Sequence, residues 1–381
     1  MSMAPAGGAR YVVPAAPPDS APPAAAADSV QHSRTLTRFV TISRTPNGEW
    51  RELDLVMAPT LTYSPETGFG TGLGLVVSRL EGAPGSGQRP STFQVSTQFT
   101  QEQQYTLTAQ GDVWTRGNGY RFTYNATWAR NPGKFYGIGD GNSARAEKYS
   151  PTVERLFAAA WKNVAPHFFV GTQALIEHVS LVVNDTGPLT SGSVPGQNGG
   201  NLVQLGLVAS YDTRAPYYNP QHGLQANLTL ARSARAIGSE YSYARATLDL
   251  RGYHEVFAGF VTAGQLWADA VRGAPPFDRV PKIGGSQLLR GVSDARYRDQ
   301  GAMIAQGELR SPAWHRFGVV TFAGVGATGA GFDAVAADRF HFAGGFGLRY
   351  SLTEHDRLNI RIDRGWGRAS SGTYFTINEA F

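Results

Sequence analysis

The sequence contains no cysteine, which excludes a disulfide framework and any thiolate metal site. Charge is sparse: 17% of the 381 residues are Asp, Glu, Lys or Arg, against about 25% in ordinary soluble domains. Long apolar runs are missing too. No stretch approaches the roughly 20 residues that a spanning helix requires, and mean hydropathy is −0.26, so a helical membrane protein is excluded. Blocks of like charge are also absent. The 34 Lys and Arg are scattered among 29 Asp and Glu, so the net charge of +5 describes no nucleic-acid patch and no such partner is expected. The eight histidines show no His-x-x-x-His spacing and join no carboxylate motif, so no metal or other cofactor is expected. Gly-x-Ser-x-Gly does not occur either, and the chain does not read as an enzyme.

What the chain has in quantity is Gly (46), Phe (20) and Tyr (16). Such a composition suits β-structure whose two faces meet different solvents. From Glu52 onward, short segments alternate apolar and polar residues with a period of two, the mark of strands. Tyr120, Phe122, Tyr124, Ala126 and Trp128 fall on one face, with Arg121, Thr123, Asn125 and Thr127 on the other. Leu224, Ala226, Leu228 and Leu230 alternate with Gln225, Asn227 and Thr229, and Ile360 and Ile362 with Arg361 and Asp363. Polar faces carrying Arg, Asp and Gln side by side suit a wet, charge-paired lumen with lipid outside. Aromatics near strand ends (Tyr120, Trp128, Trp161, Trp267, Trp314) are candidates for interfacial girdles.

Turn clusters divide this region into about sixteen strands, starting near residues 53, 68, 91, 103, 118, 148, 166, 201, 222, 240, 256, 301, 316, 339, 356 and 372. The expected fold is all-β, a closed antiparallel transmembrane β-barrel of about 16 strands. An even count puts both termini on the periplasmic side, with the longer connections 131–147, 182–200 and 272–300 on the outer face. Residues 1–34 are an Ala/Pro-rich tail expected to be disordered, and 35–381 the outer-membrane barrel. The basic start and apolar core of a secretory signal are not visible.

In Gly68-Phe69-Gly70-Thr71-Gly72-Leu73-Gly74 the glycines recur at every second position with no Lys-Ser/Thr after them. This is a strand with a bare face, open to sharp curvature or loop approach, rather than a phosphate loop. Asp140-Gly141-Asn142-Ser143 reads as a loop turn, since Glu147 follows too soon for a calcium loop. The chain ends on an alternating aromatic segment. Phe375, Ile377 and Phe381 share one face, with Glu379 as the exception, as expected of a barrel-closing strand that zips to the first.

Several stretches together carry a resemblance. Ile283-Gly284-Gly285-Ser286-Gln287-Leu288-Leu289-Arg290-Gly291 resembles the Gly-Gly…Arg-Gly-aromatic loop signature of the bacterial surface antigen family, the barrel of BamA/TamA-type outer-membrane proteins. It falls between the eleventh and twelfth expected strands, where that family carries its long sixth outer loop. Tyr63-Ser64-Pro65-Glu66-Thr67-Gly68, Tyr136-Gly137-Ile138-Gly139-Asp140, Tyr211-Asp212-Thr213-Arg214, Gly307-Glu308-Leu309-Arg310-Ser311-Pro312, Gly345-Phe346-Gly347-Leu348-Arg349 and the ending complete the set, from Tyr63 to Phe381.

The resemblance implies that this loop folds into the lumen, where Arg290 pairs with acidic groups and Gly291 allows a tight backbone path. The family's first acidic partner maps onto Glu308. Its second belongs to a Phe-x-Asp-x-Gly strand, which here reads Phe322-Ala323-Gly324-Val325-Gly326. Gly324 thus stands where an acid is expected, with Asp363 or Asp249 as candidates to compensate, and Val292 replaces the aromatic after Arg-Gly. About fifty residues precede the barrel, too few for a periplasmic POTRA repeat, so the chain is similar to a barrel-only member. The function implied is assembly or translocation of proteins or lipids at the bacterial outer membrane. Outer-membrane lipids, client outer-membrane or secreted proteins and a periplasmic partner are the implied partners. The alternative is a passive or gated pore, or a structural surface barrel.

Overall fold

The structure, a computed structural model, describes residues 29–32, 37–44 and 50–381 apart from 66, 82–87, 140–145, 184, 215–218, 332–339, 352–358, 369 and 378. The tail before residue 29, the Asp140–Ser143 turn and the side chain of Ile377 therefore lie outside the described residues. A sheet with an apolar outer face must pair its own N–H and C=O groups, because hydrocarbon supplies no partners. Sixteen antiparallel strands do so here, each beside its sequence neighbours. They begin with β1 (Trp50–Ser64), β2 (Gly68–Glu81), β3 (Ser91–Thr100), β4 (Tyr105–Trp114) and β5 (Tyr120–Arg130). There follow β6 (Glu147–Ala165), β7 (Phe168–Val183), β8 (Gly200–Asp212), β9 (Gly223–Ser233), β10 (Ser242–Phe257) and β11 (Phe260–Ala274). The last five are β12 (Gly301–Arg310), β13 (Phe317–Gly329), β14 (His341–Ser351), β15 (Asn359–Gly367) and β16 (Ser371–Ile377). All sixteen expected starts fall within about four residues of these.

The distribution of side chains is inverted relative to a soluble protein. Leu207 and Leu266 are 63% and 56% exposed, whereas Gln204, Asn227, Asp249 and Gln265 are buried. Water outside would penalise both arrangements, and hydrocarbon outside favours both. The lumen compensates its polar groups with ladders. Asn125 donates to Gln110 (3.1 Å), Gln110 to Gln94 (3.2 Å), and Thr127 to Asn125 (2.9 Å). Tyr120 and Trp128 face outward, as a girdle requires. Trp161 does not: it is buried in the lumen against Phe169 and Val208, and Trp267 also points inward, against the Ile283 and Leu289 cluster. Both occupy positions with lumen parity, and Trp267 stands at the middle of β11 rather than near an end.

Closure of the barrel is uneven. Among the described residues, β16 pairs with β15 along seven residues but with β1 only at Phe375 and Tyr63. The rest of that β1 edge is not bare. A strand at Thr37–Arg44 lies antiparallel to it, from Thr37 opposite Met57 to Arg44 opposite Trp50, and Ser29–His32 pairs with that strand in turn. Residues 29–32, expected to belong to a disordered tail, are thus part of a hairpin added to the sheet. Between the two paired stretches lies Pro59, which has no N–H to give and suits an edge rather than a central strand.

An outward arginine is costly in proportion to its depth. Leu228→Arg at mid-strand should cost about 2–4 kcal/mol, and Leu224→Arg, at the end of the same strand, about 0–1 kcal/mol. Guanidinium unfolding from lipid vesicles measures both.

Candidate functional site

The connection between β11 and β12 folds inward as a built structure. At its base, Arg279 donates to Glu177 of β7 (Nε to Oε1, 3.0 Å), which also receives Arg155 Nε (2.5 Å). Arg298 donates to the Phe277 carbonyl (2.9 Å) and lies over the Phe135 ring. Lys282–Ile283 and Tyr297–Arg298 form a short ladder, and Tyr297 stacks on His341 with ring centroids 3.5 Å apart. Gly284 bends the chain at φ +110, where a Cβ would stand 2.2 Å from the Ser293 carbonyl oxygen, and Gly285 N–H reaches the Val292 carbonyl (2.9 Å). Burial disfavours the charge on Arg279, and Glu177 more than restores it, so its pKa stands above the ordinary arginine value.

At the loop tip, Arg290 is only 1% exposed. Its Nη2 donates to Glu308 Oε1 of β12, its Nη1 to Asp363 Oδ2 of β15 (2.5 Å), and its guanidinium lies 3.7 Å from the Phe322 ring centre. Asp249, the other candidate acid, instead pairs with Arg251 and Gln265. Both acids that hold Arg290 serve further arginines. Arg310 donates to Glu308 (2.8 Å), while Arg349 (2.6 Å) and Arg361 (3.0 Å) donate to Asp363. A buried charge is expensive unless every oxygen finds a donor, and here the two carboxylates receive five such bonds. At Gly324, where an acid was expected, the vacant face is filled by Leu289, whose Cδ1 lies 3.2 Å from where a Cβ would be.

The loop tip also touches the strands at the joint. The Tyr374 hydroxyl of β16 accepts from the Gly291 N–H (3.2 Å), Ser370 donates to the Gly291 carbonyl (2.8 Å), and Arg361 reaches both the Ser286 carbonyl (2.9 Å) and Thr376 of β16 (2.6 Å). A Cβ on Gly291 (φ +107) would stand 2.7 Å from the Trp366 nitrogen, so the backbones of loop and β15 are nearly in contact.

The last residues correct one expectation. β16 ends at Ile377, with Phe375 on its outer face, but Phe381 is not on that face. It turns into the lumen and packs on Tyr253 and Ala263, with its backbone oxygen accepting from Arg310 (2.9 Å). Glu379 accepts from Arg349 (2.7 Å) and Asn359 (2.8 Å). Burial raises its pKa, Arg349 and Arg310 lower it more, and the net position is below the usual glutamate value. Lumen arginines turned the end of the chain inward. The glycine run in β2 leaves a bare lumen face at Gly70 and Gly72, where neighbouring strands, not the loop, approach: a Cβ on Gly72 would meet the Thr97 carbonyl oxygen.

Sequence reasoning had not singled out Arg279, Glu177, Arg310, Arg349, Arg361 or Tyr374. Two of these had a signal. Arg310 lies two residues after Glu308 and Arg361 two before Asp363, so period two puts each pair on one face.

A sixteen-stranded barrel with an inserted, arginine-pinned loop defines a class, that of bacterial outer-membrane barrels. BamA from Haemophilus ducreyi lacking POTRA domains 1–3 superposes with a TM-score of 0.57 at 13% identity, over 90% of this chain and 75% of that one. CdiB from Acinetobacter baumannii superposes with a TM-score of 0.59 at 12% identity, over 91% of this chain and 66% of that one. At these identities the likeness is one of fold, and the chain spans about two-thirds to three-quarters of those proteins. No protein-family model and no curated protein matches the chain.

Arg290→Ala should destabilise the barrel by about 3 kcal/mol, the lower end for breaking a buried pair, because three other arginines still face the two acids. Equilibrium unfolding in detergent micelles measures this, and trypsin should then cleave at Lys282 and Arg296. Gly291→Ala should cost about 1–3 kcal/mol through backbone strain in the same unfolding assay.

Proposed function

We propose that this barrel assembles or translocates protein or lipid at the bacterial outer membrane, working through the joint between β1 and β16. The shared edge of β1 carries the reading: eight residues of an added strand on one part and, among the described residues, a single bridge to β16 on another. A barrel that only conducts solutes gains from pairing that edge fully, since each unsatisfied backbone group in hydrocarbon costs several kcal/mol. An edge that accepts one strand by main-chain hydrogen bonds offers the same bonds to another.

The pinned loop supports the reading, because Arg290, Gly291 and Ser286 are held by residues of β15 and β16. Displacing β16 from β1 therefore strains the loop, and releasing the loop loosens β16. The resemblance to BamA/TamA-type barrels points the same way. The proposed partners are outer-membrane lipids, a client polypeptide and a periplasmic protein that delivers it, with both termini on the periplasmic side.

Joining the edges covalently tests the idea. In proteoliposomes offered a urea-unfolded eight-stranded barrel as client, oxidised Tyr63→Cys/Phe375→Cys protein should promote insertion at least about tenfold more slowly than its reduced form, about 1.4 kcal/mol in barrier. Equal rates, together with a steady ohmic conductance in both states, would overturn the reading in favour of a passive pore.

A further inference from the structure

We propose that the outer wall between β5 and β11 holds a specific site for a membrane lipid whose phosphate headgroup is net anionic. A trough of about 1040 Å³ crosses these seven strands. Two adjacent cross-strand rows of outward residues form it, with a floor that is small wherever Ala158, Ala160, Ala174, Ala244, Ala246 or Ala270 stands. The intervening residues Ala159 and Ala231 are buried and point to the lumen, so the space lies on the lipid side of the wall. Exposed Phe122, Leu207 and Leu230 give it apolar sides.

One edge of the trough is cationic. Arg232 pairs across the sheet with Ala244, and Ala244 with Arg272, so the two exposed arginines flank a single methyl group. Their backbones are two strand spacings apart, about 10 Å, which long side chains span from both sides. They lie near the ends of β9 and β11, at the rim that carries the long connections. No carboxylate lines the trough, and neither arginine joins an ion pair among the described residues. The third arginine of the lining, Arg245, faces inward and pairs with Asp269.

This geometry selects its occupant. Acyl chains fit the alanine hollow by close contact, while a phosphate at the rim neutralises both arginines where a headgroup would sit. A second copy of the chain fits poorly, since a twofold contact would bring arginine pairs together without acids. The proposal rests on the outer wall alone and is independent of how the joint behaves.

Native mass spectrometry of the full chain released from nanodiscs of mixed phosphatidylcholine and phosphatidylglycerol provides the test. Wild type should retain one phosphatidylglycerol, and Arg232→Gln/Arg272→Gln should lower that retention at least about tenfold. Ala246→Trp, which fills the trough without touching charge, should lower it as well. Arg364→Gln, an outward arginine held by Thr373 and Ser371 elsewhere on the wall, should leave it unchanged. Heat-modifiable gel migration verifies folding, and the arginine pair decides if the tryptophan variant does not fold. Any of four results would overturn the proposal: equal retention by the double variant, equal retention of phosphatidylcholine by wild type, loss of the lipid to excess glycerol phosphate, or a lipid-free dimer using this face.

Discussion

Hydrocarbon cannot accept or donate a hydrogen bond, and the architecture follows from that. Sixteen strands return the sheet to its own beginning, and the exposed leucines and buried glutamines are the two sides of one solvent arrangement. Among the described residues, the requirement is met least fully where β1 meets β16, at one bridge beside an edge that contains Pro59.

Inside the ring, the dominant cost is desolvated charge. Arg290, Arg310, Arg349 and Arg361 share Glu308, Asp363 and Glu379, so the loss of one member is felt by the others through the acid they share. The second acid comes from β15, while Leu289 packs where Gly324 leaves room on β13. That exchange brings the anchor of the loop next to the joint, since β15 is the neighbour of β16. Loop position and barrel closure become one mechanical system.

Much of this was legible in the residues. Period-two alternation located the strands, because the two solvents impose opposite demands on successive side chains. Arg290 and Glu308 stood out through a loop signature and a strand position. Three features were not legible. Phe381 looked like the end of a closing strand, because alternation cannot tell that Arg310 and Tyr253 would draw it inside. Trp161 and Trp267 looked like girdle residues, since their distance from a strand end says nothing about which face they occupy. The pairing of Arg279 with Glu177 joins residues 102 apart and leaves no local pattern.

The strand at Thr37–Arg44 has a consequence for the order of events when the chain folds. It meets β1 after only a short connection, whereas β16 must return from the far end of the polypeptide. Chain entropy favours the local hairpin first and penalises the distant closure. A nascent sheet therefore carries its own guard on the edge that waits longest, and this edge would otherwise invite aggregation.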